Sequence, residues 1–162
     1  MLNTIYRLVA PRRFEIAFQE IDLSQCEVIV RPDYLSICHA DQRYYQGVRP
    51  AQVMKQKLPM ALIHEGIGHV VYDVSGKHAP GTPVIMIPNT PRQEDHVISE
   101  NYLLSSQFRG SGFDGFMQEY VSMASDRIVI LPESIEPSLA AITELVSVSV
   151  HALRRFDHLA HS

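Results

Sequence analysis

The chain has 162 residues, 46% hydrophobic and 20% charged, which is ordinary for a globular protein and enough for one domain with a real core. A net charge of -4, with basic residues scattered in singles and pairs, gives no electrostatic case for nucleic acid, and no apolar run approaches the roughly 20 residues that span a bilayer. The N-terminus MLNTIYRLVAPRRFEIAF lacks a signal peptide's order of regions, and the two cysteines, Cys26 and Cys38, are too few for a disulfide framework, so the expected compartment is the cytoplasm.

Short β-rich runs fill the first two thirds, at 4–9, 13–20, 27–32, 68–74, 83–87, 115–122 and 128–131, separated by proline, glycine, asparagine and serine. Their spacing predicts a mainly β domain with short helices, a coiled barrel or folded sheet more than a doubly wound α/β sheet. Between them, residues 88–112 carry charge and loop formers, and read as an excursion over the surface with a helical turn near 100–104. After Leu131-Pro132 the pattern changes. Leu139, Ile142, Leu145, Val146, Ser149, Val150 and Leu153 recur at helical spacing and predict one helix over 137–156, stabilised by burial of its apolar face because its β-branched content keeps intrinsic propensity modest. Glu144 is conspicuous on that helix, since a carboxylate among apolar neighbours is costly to bury unless paired, exposed or near a metal.

The chemistry gathers in two short segments, Ser36-Ile37-Cys38-His39-Ala40-Asp41 and Leu62-Ile63-His64-Glu65-Gly66-Ile67-Gly68. Zinc accepts sulfur from cysteine, nitrogen from histidine and oxygen from glutamate, and a catalytic site keeps one position open. Cys38, His64, Glu65 and the distant Glu144 could supply that shell. Asp41 could accept the second ring proton of His64 and fix which nitrogen faces the metal. Taken singly, Cys38 also fits an inert buried thiol, His64 and Glu65 a polar pair at a strand end, and Glu144 a solvent-facing carboxylate. The zinc-protease pattern is excluded by spacing: it needs histidines four apart on a helix, and His69, five residues after His64, would point roughly 140° away.

Five ordered segments extend this reading: SICHADQRYYQG, LPMALIHEGIGHVV, GTPVIMIP, GFDGFMQEYV and LPESIEPSLAAITELVSVSVHALRR. Together they resemble, from end to end, the catalytic, chaperonin-10-like (GroES-like) domain of the medium-chain, zinc-dependent alcohol and polyol dehydrogenases. Pro88-Asn89-Thr90-Pro91 and the ADQRYY stretch further resemble the ribulose-5-phosphate reductases that make ribitol 5-phosphate for teichoic acid or capsule precursors. The resemblance implies a folded β-barrel over 1–136, and over 137–162 a helix leading to a Rossmann-type nucleotide-binding domain. It implies one catalytic zinc on Cys38 and His64, with Glu65 a ligand or immediate neighbour, Glu144 holding or alternating with the metal-bound water, and Asp41 behind them. It implies hydride transfer between NADPH, bound mainly by the missing domain, and a phosphorylated pentose. A homo-oligomeric parent and a cytidylyltransferase partner are further implications.

Departures from the family pattern shape the remaining expectations. Ala40 stands where many relatives carry a relay hydroxyl, so His39, Tyr44, Tyr45 or metal-bound water must move the proton; His39 could instead meet cofactor phosphate. No cysteine quartet occupies 89–108, which predicts no structural zinc. Ile63 replaces the glycine that many relatives place before the histidine. Arg43, Lys57, Arg92 and Arg109 could hold a sugar phosphate; Arg43 and Arg109 are preferred for their proximity in sequence to the metal turn and the GFDG segment, with Tyr44 beside them. No glycine-rich dinucleotide fingerprint follows a strand, so the chain is expected to be a fragment that binds zinc and does not turn over alone.

Overall fold

The structure, a computed structural model, describes residues 1–160, with side chains described through residue 156. The expected C-terminal segment 137–162 therefore runs two residues past the described ones. The chain opens with a hairpin: β1 (Leu2–Ala10) pairs antiparallel with β2 (Arg13–Glu20) from Leu2↔Glu20 to Ala10↔Arg13. The tight two-residue connection places Arg12 in the left-handed region, as hairpin turns that match strand twist require. Further along, β4 (Met60–Ala61) lies on the other side of β1 through Arg7↔Ala61 and Leu8↔Met60, completing a three-stranded sheet ordered β2-β1-β4.

A five-stranded antiparallel sheet forms the second layer. It is ordered β10-β6-β5-β3-β9, with β3 (Val28–Ser36), β5 (Glu65–Asp73), β6 (Pro83–Met86), β9 (Val121–Met123) and β10 (Ile128–Ile130). Alternation of Val28, Val30, Val70, Val84, Met86, Val121 and Met123 turns one face inward, where these residues join Leu8, Met60, Leu62 and Phe116 in a closed core. Each such buried aliphatic or aromatic side chain contributes about 1.5–3 kcal/mol relative to exposure. Two helices follow β3: α1 (His39–Gln46), ended by the left-handed Gly47, and α2 (Ala51–Lys57). The excursion contains a small ladder of β7 (Asn89–Thr90) and β8 (Gln107–Phe108), and a single 3-10 turn at Glu100–Tyr102.

Several expected boundaries shift. The run expected over 115–122 is a strand only at β9, because Gly115, Phe116 and Met117 instead donate their amides to the carbonyls of Ala61, Ile63 and Leu62. The strand expected at 68–74 starts three residues earlier, at Glu65. The single helix expected over 137–156 is two helices, α3 (Pro137–Ala140) and α4 (Thr143–Ala160). The break has local causes: Glu136 caps α3 by accepting from the Leu139 amide, and the Thr143 hydroxyl donates to the Ala140 carbonyl at 2.6 Å. Ala140 and Ala141 are small enough to sit buried against the sheet, Ala140 packing with Ile67 and Leu131. The expectation that α4 buries its apolar face is overturned. Leu145, Val146, Val148, Val150, Leu153 and Phe156 are 42% to 72% exposed. Among the described residues no helix is long and apolar enough to cross a membrane.

Candidate metal centre

Strand β3 delivers the chain to Ile37, and Cys38 then serves as the N-cap of α1. Asp41, in the first turn, reaches back to accept the Cys38 amide at 3.1 Å, the reciprocal half of a capping box. The same carboxylate lies 3.1 Å from Cys38 Sγ and accepts the Ile63 amide at 2.9 Å. Asp41 thus ties together the two segments singled out in the sequence. Its expected bond to His64 is not made: Nδ1 lies 3.9 Å from Asp41 Oδ1 and has no hydrogen-bond partner among the described residues, because both Asp41 oxygens are taken by Cys38 and Ile63.

His64 turns its other nitrogen to the centre. Nε2 lies 3.3 Å from Cys38 Sγ and 4.0 Å from Glu65 Oε1, and the ring is held edge-on by Phe108 at 5.1 Å between centroids. Glu65 opens β5 opposite Ser36 and is 1% exposed. Neither of its carboxylate oxygens has a hydrogen-bond partner among the described residues. An ionised carboxylate buried without a partner is costly, and a cation is the partner that removes the cost. Among the described residues, Cys38, His64 and Glu65 form one group whose donor atoms all lie within 4.8 Å of one another. Tetrahedral zinc bonded to sulfur, nitrogen and oxygen would hold its donors about 3.4–3.6 Å apart, so the set fits zinc with small adjustments of side chains.

Burial pushes the Cys38 thiol up to about 11, and the neighbouring Asp41 side chain adds to the rise, while the backbone amide contacts oppose it. A cation must therefore displace a proton from sulfur to bind there. Glu144, at the second position of α4, is half-buried beside this group but outside it. Burial raises its carboxyl above the ordinary value, His64 opposes the rise, and the charges of Glu65 and Asp41 add to it.

Other expected site residues are placed differently. His39 is exposed in the first turn of α1, next to Cys38. Arg43 is half-buried in the last turn of α1. Tyr44 is 2% exposed and belongs to the core, with Arg49 stacked over its ring at 4.6 Å, because the phase of α1 turns it inward. The Arg109 guanidinium donates through Nη1 and Nη2 to the carbonyls of Asp114 and Ser122 and packs over Phe113 at 4.8 Å; its Nε has no partner among the described residues, and burial lowers its pKa to about 10. His69 pairs with Asp33 at 2.9 Å. Two residues of the centre escaped the sequence reading as contributors: Phe108, far along the chain with no motif to mark it, and Ile63, whose backbone has a φ of 70°. Beside Asp41 and Ile63 lies an open apolar cavity of about 590 Å³, lined also by Phe14, Ile37, Tyr45, Leu62 and Met117.

A folded β-domain that brings thiol, imidazole and carboxylate to the junction of a strand and a helix is the catalytic-domain architecture of zinc-type medium-chain dehydrogenases. The chain belongs to the family of the alcohol dehydrogenase GroES-like domain, which it matches over residues 24–133. It is 56% identical over 161 residues to the ribulose-5-phosphate reductase of Bacillus spizizenii, covering 99% of this chain and 47% of the relative. It is 57% identical over 157 residues to ribulose-5-phosphate reductase 2 of Staphylococcus aureus, covering 97% and 46%. The chain thus spans about half the length of the curated relatives it matches. Among solved structures it superposes on S. aureus TarJ in complex with NADPH with a TM-score of 0.78 at 47% identity, over 99% of this chain and 43% of that one. The L-idonate 5-dehydrogenase of Escherichia coli gives a TM-score of 0.83 at 25% identity, over 94% and 46%.

Proposed function

We propose that this chain provides the metal-holding half of a zinc-dependent NADPH oxidoreductase that reduces ribulose 5-phosphate to ribitol 5-phosphate, for CDP-ribitol and cell-surface polymer synthesis. The observation that carries the metal reading is the buried Glu65 carboxylate with both oxygens unpaired, 4.0 Å from His64 Nε2 and in one group with Cys38. The substrate reading rests on the identity of more than half the residues to reductases of that name.

In this reading residues 1–136 form the catalytic barrel, and 137–162 lead toward a nucleotide-binding domain that holds most of the NADPH. Cys38, His64 and Glu65 hold the zinc, and Glu144 approaches it from α4. A bound zinc supplies Lewis acidity, polarising the ketose carbonyl so that charge developing on its oxygen is stabilised. Asp41 fixes the Cys38 loop against the Ile63 turn, so the donors are preorganised. Phe108 closes one edge of the His64 ring against water. Exposed His39, beside the thiol and in reach of solvent, is the side chain best placed to carry a proton out, the alternative being contact with cofactor phosphate. Arg43 remains the candidate donor to the sugar phosphate. The parent protein works in the cytoplasm as a homo-oligomer, with a cytidylyltransferase as its partner.

The test has two arms. Zinc measured in protein purified without chelators should approach one per chain and be lost in Cys38→Ser, with affinity down on the order of 100-fold or more. A chimera in which this chain replaces the matching half of the B. spizizenii reductase should oxidise NADPH when given ribulose 5-phosphate. Turnover of unphosphorylated polyols alone would redirect the substrate assignment toward the sorbitol or L-idonate type of dehydrogenase.

A further inference from the structure

Strand β2 ends the three-stranded sheet: β1 pairs with one of its edges, and among the described residues no strand pairs with the other. Which groups lie on that open edge follows from the start of the hairpin. Met1 and Ile21 exchange both backbone bonds, the Ile21 amide donating to the Met1 carbonyl at 2.7 Å and the Met1 nitrogen to the Ile21 carbonyl at 2.8 Å. Hydrogen-bonded and non-hydrogen-bonded pairs alternate along an antiparallel ladder, so Gln19, Ala17 and Glu15 turn their amides and carbonyls toward β1. Phe14, Ile16, Phe18 and Glu20 turn theirs outward. The open edge stops short of Arg12, whose amide donates to the Tyr45 carbonyl at 2.7 Å.

Edge strands are ordinarily blunted by proline, lysine, a bulge or shortness. β2 is eight residues long, RFEIAFQE, holds no proline or lysine, and keeps a regular register with β1 from Phe14 to Glu20. Phe14, Ile16 and Phe18 share one face and are 36%, 60% and 68% exposed, with Tyr6, 40% exposed, beside Ile16. The strand is also polarised. Arg12 and Arg13 stand at its start, Glu20 and Asp22 at its finish, and all four are exposed.

We propose that this edge is a seam between two copies of the chain, β2 pairing antiparallel with β2 of the second copy about a twofold axis at Ala17. The four outward-facing residues are symmetric about position 17, so this register matches Phe14 with Glu20 and Ile16 with Phe18, twice each, and joins the two sheets into one of six strands. On the apolar face each Ile16 meets a Phe18; on the other, Ala17 meets Ala17 and Glu15 meets Gln19, with no like charges opposite. The basic start of each strand lies along the acidic finish of the other. Centring the pairing on Ile16 would set Glu20 against Arg12, whose amide is already taken, and centring it on Phe18 would leave Phe14 without a partner in the strand. The seam gives the homo-oligomer a surface and does not rest on the metal reading.

Sedimentation of the whole chain over about a hundredfold range of concentration should show monomer passing to dimer. Ile16→Lys, which sets a charge in the exposed row without touching the core, should weaken association about tenfold or more, and Leu153→Lys, on the exposed side of α4, should leave it unchanged. Mild oxidation reads the register. On the axis the two copies of residue 17 bring their Cα atoms to about 4.5 Å, within disulfide reach. Ala17→Cys should therefore cross-link beyond the unaltered chain, whereas Glu15→Cys and Gln19→Cys should cross-link when mixed and not alone. A monomer at every concentration, a dimer indifferent to Ile16→Lys, a dimer lost in Leu153→Lys, or cross-linking by Glu15→Cys alone overturns the proposal. Ala17→Cys is also carried into the full-length chimera: cross-linking there supports the seam, and its absence overturns it, the other half of the enzyme then covering the edge. A chain that pairs as expected but holds no zinc overturns the metal reading and leaves the seam standing.

Discussion

The corner at Ile63, where the chain passes from β4 to β5, and the helix α4 each bring a side chain to the centre, yet they are built in opposite ways. At the corner the peptides of residues 61–63 are paired and the side chains are buried. On α4 the apolar side chains of Leu145, Val148 and Leu153 face solvent, and the helix touches the sheet chiefly through β5. Cys38, His64 and Glu65 are thus fixed by this chain's own fold, whereas Glu144 rides on a helix that the chain holds from one side.

Four changes test that contrast. Gly115→Ala should have the largest effect, since the new Cβ would meet the carbonyl oxygens of Ile63 and Leu62 at 2.2 and 2.3 Å. A loss of about 3 kcal/mol or more in urea unfolding, or failure to fold, is expected; an unchanged midpoint would mean that the corner can give. Asp114→Asn comes next. Asp114 accepts Arg7 Nε at 3.0 Å and the Ala61 amide at 2.8 Å, joining β1, β4 and the segment that grips the corner. Its replacement should cost about 1–3 kcal/mol by the same measurement.

Zinc affinity should then rise with pH. The Cys38 thiol is held up to about 11, so at neutral pH it is protonated and each ion bound releases its proton. Apparent affinity should climb about tenfold per pH unit between about pH 7 and 9, with proton release seen in buffers of different ionisation enthalpy. A flat profile would show that the thiol ionises without metal. The smallest effect is expected on α4, where Val148→Ser should change stability by less than about 0.5 kcal/mol because the side chain is already exposed. A larger loss would show that α4 packs more firmly than its exposure implies.

The grouping of Cys38, His64 and Glu65 was legible in the sequence because they sit in short segments whose residue types have few other uses together. The β-rich character was legible from alternation, and Glu144 from its apolar neighbours. What could not be read was direction. Tyr44 and Tyr45 look alike until the phase of α1 buries the first and exposes the second. Arg109 looks like an exposed cation until it is seen buried, with Nη1 and Nη2 on backbone carbonyls. Asp41 was matched to an imidazole, but it chose two backbone amides, and amides carry no signature in a sequence. The break between α3 and α4 was equally silent, since Ala140 to Thr143 keep the helical period while capping divides them.

The unpaired carboxylate of Glu65 has a consequence for the life of the protein as well as for its chemistry. Two buried carboxylate oxygens without hydrogen-bond partners penalise the folded state, and an ion held there, as proposed, at about 100 times its dissociation constant would return about 2.7 kcal/mol. In the proposed zinc reading, the amount of this protein that survives surveillance by proteases follows the zinc status of the cell. Metal scarcity would first appear as faster turnover of the polypeptide.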